Sequence, residues 1–547
     1  MRVYGCNRQL PHFFATSNRR KVLAYSGVFL LAGAGLAFTL KTQFFPDDTQ
    51  YWSYIDLWLP DGTPVSATNA AAVRAETVVA RVLAAYEAQQ EGSQAGEPPL
   101  LHSLTSFIGS GGPRFWTSVN PQPQQSNYAQ IIVRVSRKEA TPEIVGPLQD
   151  ALSEELVGVV PIVHQLQTNP VEFPVEVRIS STSDVDPADE EADNRNLRRF
   201  ADEAGTILRR LTGVAVQDSD WLNQPAEASL KIDPDKANLA GVTNQNVAQA
   251  TQAATDGVGV TTLQQGNKQI PVVARLRQDE RASLSDIQNI YITSSDGKQK
   301  IPLESIASIE TTLADRRIRR LEHFRTIGVH AYPQHGVLAS EVLNEAMPAL
   351  RDMQKRLPSG YRMVIGGELA AQKDGFANLV MALLISVSAI YAALLLQFKN
   401  AINPLVVFAA VPYGVIGALL ALAITRTLFG FMAVLGIVSL IGVIVSHIIV
   451  LFDFIEEMHD KGEPLEVALC DAGIERLRPV LITVGATIFA LFPLAMHGGP
   501  LWRPLCYAQI GGLTVATAIT LVLVPVLYSV AVLDLKVIQW RQREPVS

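Results

Sequence analysis

Apolar positions along this chain fall into two kinds of pattern, long unbroken runs toward its ends and short periodic ones between them. A bilayer core takes about 20 consecutive apolar residues as a helix. Val22–Leu40 runs 19 residues without a charge, between Arg19, Arg20, Lys21 and Lys41. Beyond residue 375 the uncharged stretches are Gly375–Phe398, Asn400–Thr425, Thr427–Phe452, Pro479–Trp502 and Pro504–Leu533. The pattern predicts one span, a large polar region, then five spans. A cleaved signal peptide is the alternative for Val22–Leu40, which has a basic flank and an Ala32, Gly33, Ala34 cluster, but the run exceeds the usual apolar core of about 7–15 residues.

Between residues 41 and 375 the period changes repeatedly. Trp52–Leu59 alternates like a strand, Pro60, Asp61 and Gly62 turn it, and Ala67–Ala88 follows with helical spacing. Tyr128–Val135 predicts a strand, Pro142–Leu156 a helix, and Pro161–Leu166 and Val175–Ile179 further strands. Strand, helix, strand, helix, strand suits a split βαβ, ferredoxin-like unit. A second cycle continues with the helix Asn194–Leu211 and resumes at Thr326–Ala331, the helix Val337–Arg356 and the strand Tyr361–Ile365. The interruption, about residues 225–312, has strands and a helix at Asn244–Ala254 of its own and reads as an insertion. The acidic stretch Asp184–Asp193 reads as a solvated loop.

Of 547 residues, 48% are hydrophobic and 18% charged, which disfavours disorder and fibrous repeats. The net charge of −7 is uneven: residues 41–375 hold 42 of the 52 acids and 31 of the 45 bases. Neither part has the basic, aromatic-studded surface of a nucleic-acid binder. With the N-terminus inside, the inner segments carry Arg2, Arg8, Arg19, Arg20, Lys21, Lys399, Lys461, Arg476, Arg478, Lys536, Arg541 and Arg543, against Arg426 and Arg503 in the short outer loops. Twelve bases against two place residues 41–375 outside the cytoplasm. Cysteine usage agrees, with Cys6 and Cys470 inside, Cys506 in the last span and none in the external region. No CxxC, HExxH, GxGxxG or Walker A string stands in a fitting context, so neither a metal site nor a nucleotide-driven pump is indicated. Nor does any nucleophile and base share a plausible neighbourhood, which argues against an enzyme.

Several strings together carry a resemblance. QFFPDD (Gln43–Asp48), DLWLPDGTP (Asp56–Pro64), RLPSGYRMVIGGE (Arg356–Glu368), GIVSLIGVIVSHIIVLFDFIEE (Gly436–Glu457) and RLRPVLITVGATIFALFPLAM (Arg476–Met496) occur in order. From about residue 20 to 538 the chain resembles the C-terminal half of a resistance-nodulation-division (RND) efflux transporter of the drug-pump, acriflavin-resistance-like branch. The resemblance implies a membrane α-helical fold of six transmembrane helices plus an α+β periplasmic domain of ferredoxin-like porter subdomains with an inserted docking subdomain. It divides the chain into a cytoplasmic N-terminus 1–21, a first helix 22–40, a periplasmic region 41–375, a five-helix bundle 376–534 and a cytoplasmic C-terminus 535–547. The periplasmic region becomes a first porter subdomain 46–168, a second made of 170–222 and 313–370, and a docking subdomain 225–312. It further implies a bacterial inner-membrane antiporter that exchanges protons for amphiphilic drugs, dyes or detergents, with no cofactor beyond the proton-motive force. A trimer, a periplasmic adaptor and an outer-membrane channel complete such a pump.

A proton-driven pump needs ionisable groups in hydrocarbon, where a charge costs about 2.5–3.5 kcal/mol even on insertion scales. His447 is the clear candidate well inside a span, because imidazole titrates nearest physiological pH; a packed, neutral histidine is the alternative. Gly436, Ser439, Gly442 and Ser446 form one helical stripe, with Asp453 beyond them on the same face and His447 about 100° from Ser446. Full-length relatives of the drug-pump type answer two membrane aspartates of the N-terminal half with a Lys, an Arg and a Thr in this one. Arg476 and Thr483 match the Arg and Thr positions, whereas Ser446 occupies the Lys position and no Asp-Asp pair occurs in any span. The resemblance thus implies a separate N-terminal-half polypeptide that supplies the aspartates, with His447 replacing the lysine as counter-charge. Anchoring at the inner edge is the alternative for Arg476 and Arg478, and back-bonding to its own helix the alternative for Thr483. Ala508, Gly512 and Ala516 give the last span a small-residue packing face.

Outside the membrane, Phe107, Gly109, Gly111, Gly112, Phe115 and Trp116 combine a glycine-rich mobile hinge with apolar rings. Drug-exporting relatives carry a similar glycine-bearing loop between two substrate pockets. A strand with a turn packed in the subdomain core is the alternative. Two other functional readings stay open: a protein-export accessory of the SecD or SecF kind, which has the same order of span, domain and five spans, and a non-functional fragment of a split transporter gene. The spans hold no methionine or carboxylate cluster of the kind a metal ladder needs.

Overall fold

The computed structural model describes residues 19–90, 98–168, 171–182, 189–221, 226–277, 284–313, 317–398 and 400–535. Arg2, Arg8, Cys6, Lys399, Lys536, Arg541 and Arg543, and residues 184–188 of the Asp184–Asp193 stretch, lie outside the described residues.

The first apolar run forms α1 (Arg19–Ala37), whose first turn carries the basic flank. A ferredoxin-like unit follows: β1 (Trp52–Trp58), α2 (Val65–Gln89), β2 (Leu101–Ile108), β3 (Tyr128–Val135), α3 (Thr141–Glu155) and β4 (Val160–Gln165). Its antiparallel sheet has the order β2-β3-β1-β4. Alternation sends Ile55 and Leu57 of β1 and Ile131 and Val133 of β3 into one core with Ala75, Val79 and Leu83 of α2 and Ile144, Leu148 and Leu152 of α3. The strand β2 completes the unit beyond the order read from the sequence.

The same plan recurs in β5 (Val175–Ser181), α4 (Glu190–Arg209), β6 (Val214–Ser219), β7 (Phe324–Pro333), α5 (Ala339–Arg356) and β8 (Tyr361–Ile365), with strand order β6-β7-β5-β8. Val177, Ile179, Ile327 and Val329 pack against Leu197, Phe200 and Leu208 of α4 and Leu343 and Leu350 of α5. Asp193, expected in a solvated loop, instead lies in the first turn of α4, buried, and accepts hydrogen bonds from Ser181 Oγ at 3.0 Å and Tyr361 OH at 2.8 Å.

Between β6 and β7, Leu222–Arg317 forms a compact unit of its own. Within it Ala226–Ile232 pairs antiparallel with Ala307–Leu313, and Val258–Gln265 with Lys268–Ala274 in an exposed hairpin. Thr243 caps the helix Asn244–Thr255, and Val247, Ile292, Leu303 and Ile306 make a small core.

The C-terminal runs form α6 (Gly367–Phe398), α7 (Ile402–Phe408), α8 (Val411–Ile424), α9 (Phe431–Asp460), α10 (Leu465–His497) and α11 (Gly499–Leu533). Among the described residues five spans are long and apolar enough to cross a membrane, α7 and α8 counting as one, and six if the bent α11 is a single span. The helix α10 starts well before the expected Pro479: Leu465, Ala468, Leu469 and Ala472 are buried, and the charges interleaved with them occupy the other face. The 46° bend of α11 falls at Leu521, four residues before Pro525, which has no N–H for the Leu521 carbonyl.

Small residues set the closest helix approach. A methyl placed on Gly417 of α8 would lie 2.6 Å from Val515 Cβ and 2.7 Å from the Gly511 carbonyl of α11. Ala508, Gly512 and Ala516 are buried on that same helix. At the end where the chain leaves for residues 41–375, Lys41–Phe45 runs beside Phe429–Phe431, with Gln43 N–H donating to Phe429 O (3.1 Å) and Phe431 N–H to Phe44 O (3.1 Å). Glu368, in the first turn of α6, accepts from Phe44 N–H at 2.5 Å, and the rings of Phe44, Phe45, Phe376 and Phe431 close around the junction.

Gly417→Leu should destabilise the bundle by about 1–3 kcal/mol through overpacking against α11. Gly442→Leu, where a Cβ meets nothing within 4 Å, should change stability by less than about 0.5 kcal/mol. Thermal unfolding of the two detergent-solubilised variants checks the contrast.

Candidate functional site

The helix α9 buries Leu440, Ile444, Val445, Ile448, Leu451, Phe452 and Ile455 in the bundle core. Gly436 belongs to that buried side, since a Cβ there would lie 2.8 Å from the Leu505 carbonyl of α11. Ser439, Gly442, Ser446 and Asp453 stay exposed. The expected single stripe therefore divides: Gly436 leads the other four by about 60–120° around the axis. The four exposed members form an open ridge along one side of the helix.

His447, half-buried, points away from the ridge. With Arg476 of α10 it lines a cavity of about 20 Å³, room for about one water, walled by Ile444, Leu451, Val480 and by Thr517 and Thr520 of α11. The guanidinium carbon of Arg476 lies 5.3 Å from the Phe454 ring centroid, and its buried Nε finds no hydrogen-bond acceptor among the described residues. The structure thus brings His447 and Arg476 together and leaves the other three relay candidates apart. Ser446 Oγ donates to Val443 O (2.8 Å), and Thr483 Oγ to Pro479 O (3.1 Å) and Val480 O (3.0 Å), each closing on its own helix. Asp453 accepts from Gln397 Nε2 at 3.4 Å. Thr517 and Thr520 were not singled out in the sequence; their signal is two hydroxyls a turn apart inside an apolar span.

Backbone hydrogen bonds hold the glycine segment 107–116 against its neighbours. Phe107 ends β2; Gly109 takes a φ of 78°, and Gly111 N–H donates to Gln122 O (3.0 Å) and Gly112 N–H to Gln130 Oε1 (2.9 Å). A Cβ on Gly111 would lie 2.5 Å from Gln122 N, so glycine serves close approach there. Phe115 meets Trp52 and Tyr54 edge-on at 6.3 and 6.2 Å, and Trp116 Nε1 donates to Gln167 O (2.9 Å).

Phe115 also leads into a seam between the two ferredoxin-like units. Tyr54 stacks on His164 at 4.5 Å, His164 Nε2 lies 3.1 Å from Asp56 Oδ2, and Asp56 Oδ1 accepts from Tyr128 OH at 2.6 Å. His164 faces Tyr332 of β7 at 5.9 Å, and Phe173 stacks on His330 at 3.4 Å. Beside this seam, burial pushes Asp218 up to about 6 against a Ser219 backbone hydrogen bond. Burial likewise raises Asp220 to about 6, although Gly328 N–H (2.8 Å) and Arg319 (3.4 Å) oppose it. Burial, then the charges of Arg319 and Arg178, press His330 down to about 3, so its ring is neutral beside Glu176. Sequence periodicity places Tyr54, Asp56, Tyr128, His164, Glu176 and His330 on strands but not Asp218, Asp220 or Tyr332, and it cannot show that strands of two sheets bring them together.

Among the described residues no three His, Cys, Asp or Glu side chains converge as metal ligands. Compared with known proteins, the chain matches the AcrB/AcrD/AcrF family over residues 12–532. The chain belongs to this RND permease family. It is 30% identical to the swarming motility protein SwrC of Bacillus subtilis (strain 168) over 310 residues, 56% of this chain and 29% of SwrC. Two crystal structures of a heavy metal efflux pump, forms II and I, superpose with a TM-score of 0.73 each, at 20% and 19% identity over 96% and 95% of this chain. At that identity the likeness shows the RND permease fold. The chain spans about half of each of those structures, 51% and 50%. Family members are multi-pass inner-membrane transporters, and membership lends no support to the protein-export reading.

The raised carboxyls carry a pH signature in this RND chain. The folded chain binds more protons than the unfolded one between the ordinary aspartate value of 3.8 and about 6, so these groups make stability fall as pH rises through that window. His330 acts oppositely, withdrawing stability as pH falls from 6.5 toward about 3. Asp218→Asn should raise stability by about 1–3 kcal/mol near pH 7.5 and leave it unchanged near pH 4. Melting of the two proteins at both pH values, followed by tryptophan fluorescence, is the check.

Proposed function

We propose that this chain is one half of a proton-driven RND efflux permease that exports amphiphilic compounds across the bacterial inner membrane. It works with a separate polypeptide carrying the N-terminal half and its proton-relay aspartates. The observation that carries this reading is the open ridge Ser439, Gly442, Ser446 and Asp453. Polar groups on a lipid-facing helix surface are costly, and a glycine in that ridge admits a second helix closely. The Leu222–Arg317 unit is the docking subdomain, and residues 41–375 lie in the periplasm. Trimeric assembly, a periplasmic adaptor and an outer-membrane channel complete the route for substrate.

In this reading His447 takes the place of the family lysine as counter-charge to the partner's aspartates, and Arg476 holds the cavity beside it electropositive. A protonated partner aspartate beside the His447–Arg476 cavity releases its claim on the positive side; deprotonation restores it, and the two helix arrangements alternate.

Co-expression of the chain with an N-terminal-half polypeptide, followed by reconstitution and dye efflux driven by a pH gradient, tests the proposal. The pair should transport and the chain alone should not. His447→Ala should slow efflux by about tenfold, the scale of one lost interaction of ~1.4 kcal/mol, without loosening the pair. Gly442→Leu should abolish co-purification. Transport by the isolated chain, or undiminished pairing of the Gly442→Leu variant, would sink the proposal.

A further inference from the structure

At the end of the bundle where the chain departs for residues 41–375, a cavity of about 300 Å³ opens between the exit of α1, the α8–α9 connection and the start of α11. Phe44, Met432, Pro504 and the ring of Tyr507 wall it, and two guanidiniums, Arg426 and Arg503, stand at its margin. None of its lining residues is acidic. Arg503 donates to Met496 O at 3.4 Å, and neither arginine has a carboxylate within ion-pair distance among the described residues. These are the two basic residues of the short connections at this end, where the charge distribution along the chain otherwise avoids them.

Backbone geometry supplies a second observation. The helix α8 ends in a Schellman motif, with Thr427 N–H bonded to Leu422 O (2.9 Å) and Arg426 N–H to Ala423 O (3.2 Å). Arg426 holds the left-handed position of that motif, φ 53°, where glycine is the common occupant and a Cβ is strained. A side chain kept at a position that resists one thus lines, with a second arginine, an apolar-walled cavity.

We propose that this cavity holds an anionic phospholipid of the leaflet on the side of residues 41–375. Its phosphodiester sits between Arg426 and Arg503, whose planar forks match phosphate oxygens, and an acyl chain lies along Phe44, Met432 and Pro504. The apolar walls and the Tyr507 ring select a lipid over a free anion, and the paired cations select an acidic headgroup over a zwitterionic one. The lining residues of this site include none of the ridge on α9.

The full chain, purified in mild detergent, is mixed with phosphatidylglycerol, with phosphatidylcholine, or with phosphatidylglycerol and millimolar inorganic phosphate, and retained lipid is counted by native mass spectrometry. Phosphatidylglycerol should be held in preference to phosphatidylcholine and should resist inorganic phosphate. Arg426→Gly should lower its retention by about fivefold, and Arg426→Gly with Arg503→Gln by about 25-fold. Because glycine relaxes the left-handed position, Arg426→Gly should melt no lower than the parent chain, which separates loss of lipid from loss of fold. Equal retention by the parent and the double variant, displacement by inorganic phosphate, or equal retention of the two lipids would each overturn the proposal.

Discussion

Hydrocarbon leaves a polar side chain nowhere to find water, and that constraint orders the helix bundle. Hydroxyls inside the spans turn back on their own helices: Ser388 on Leu384 O, Ser446 on Val443 O, Thr487 on Thr483 O, Thr514 on Ile510 O and Ser529 on Val526 O. Gln509 reaches across from α11 to Ser439 of α9, and Asn403 to Glu456. Arg476, which cannot discharge, lies against the face of Phe454. Against this background, the buried Nε of Arg476, which finds no acceptor among the described residues, and its neighbour His447 stand out as chemistry that packing does not require.

The second ferredoxin-like unit and the bundle meet at a joint built around one short run of backbone, flanked by the Lys41–Glu341 ion pair (2.7 Å) and the Ser340 Oγ hydrogen bond to Thr42 O (2.7 Å). Lys41–Phe45 adds to Phe429–Phe431 as a two-stranded strip, Glu368 fixes Phe44 to the first turn of α6, and four phenylalanine rings fill the space beneath. Three elements far apart in sequence thereby share one joint.

Much of this was legible in the residues. Charge-free runs marked the spans, and alternation marked β1 and β8, where one face is more buried than the other. The strand β2 escaped because LHSLTSFI is polar at half its positions without strict alternation and is followed by glycines, which read as a loop. The start of α10 escaped because its first turns are amphipathic and Pro479 reads as a beginning, whereas bundle neighbours support a proline in the interior. At the site, spacing correctly set His447 about 100° from Ser446, but the company it keeps could not be derived from one helix. Thr517 and Thr520 come from α11, and the Tyr54, His164, Tyr332 seam joins strands more than 100 residues apart.

The insertion between β6 and β7 has a consequence for assembly order. Pairing Ser219 with Val329 closes a loop of more than 100 residues, an entropic obstacle to completing the second sheet. The inserted unit carries a zipper at its own root, Ala226–Ile232 against Ala307–Leu313. Once that zipper shuts, the flexible length left to fasten falls to about 20 residues, and the closure cost drops by about 1.5 kcal/mol. A guest module that knots its own ends first lets its host finish, so the nested piece is the natural early folder and the sheet around it the late one.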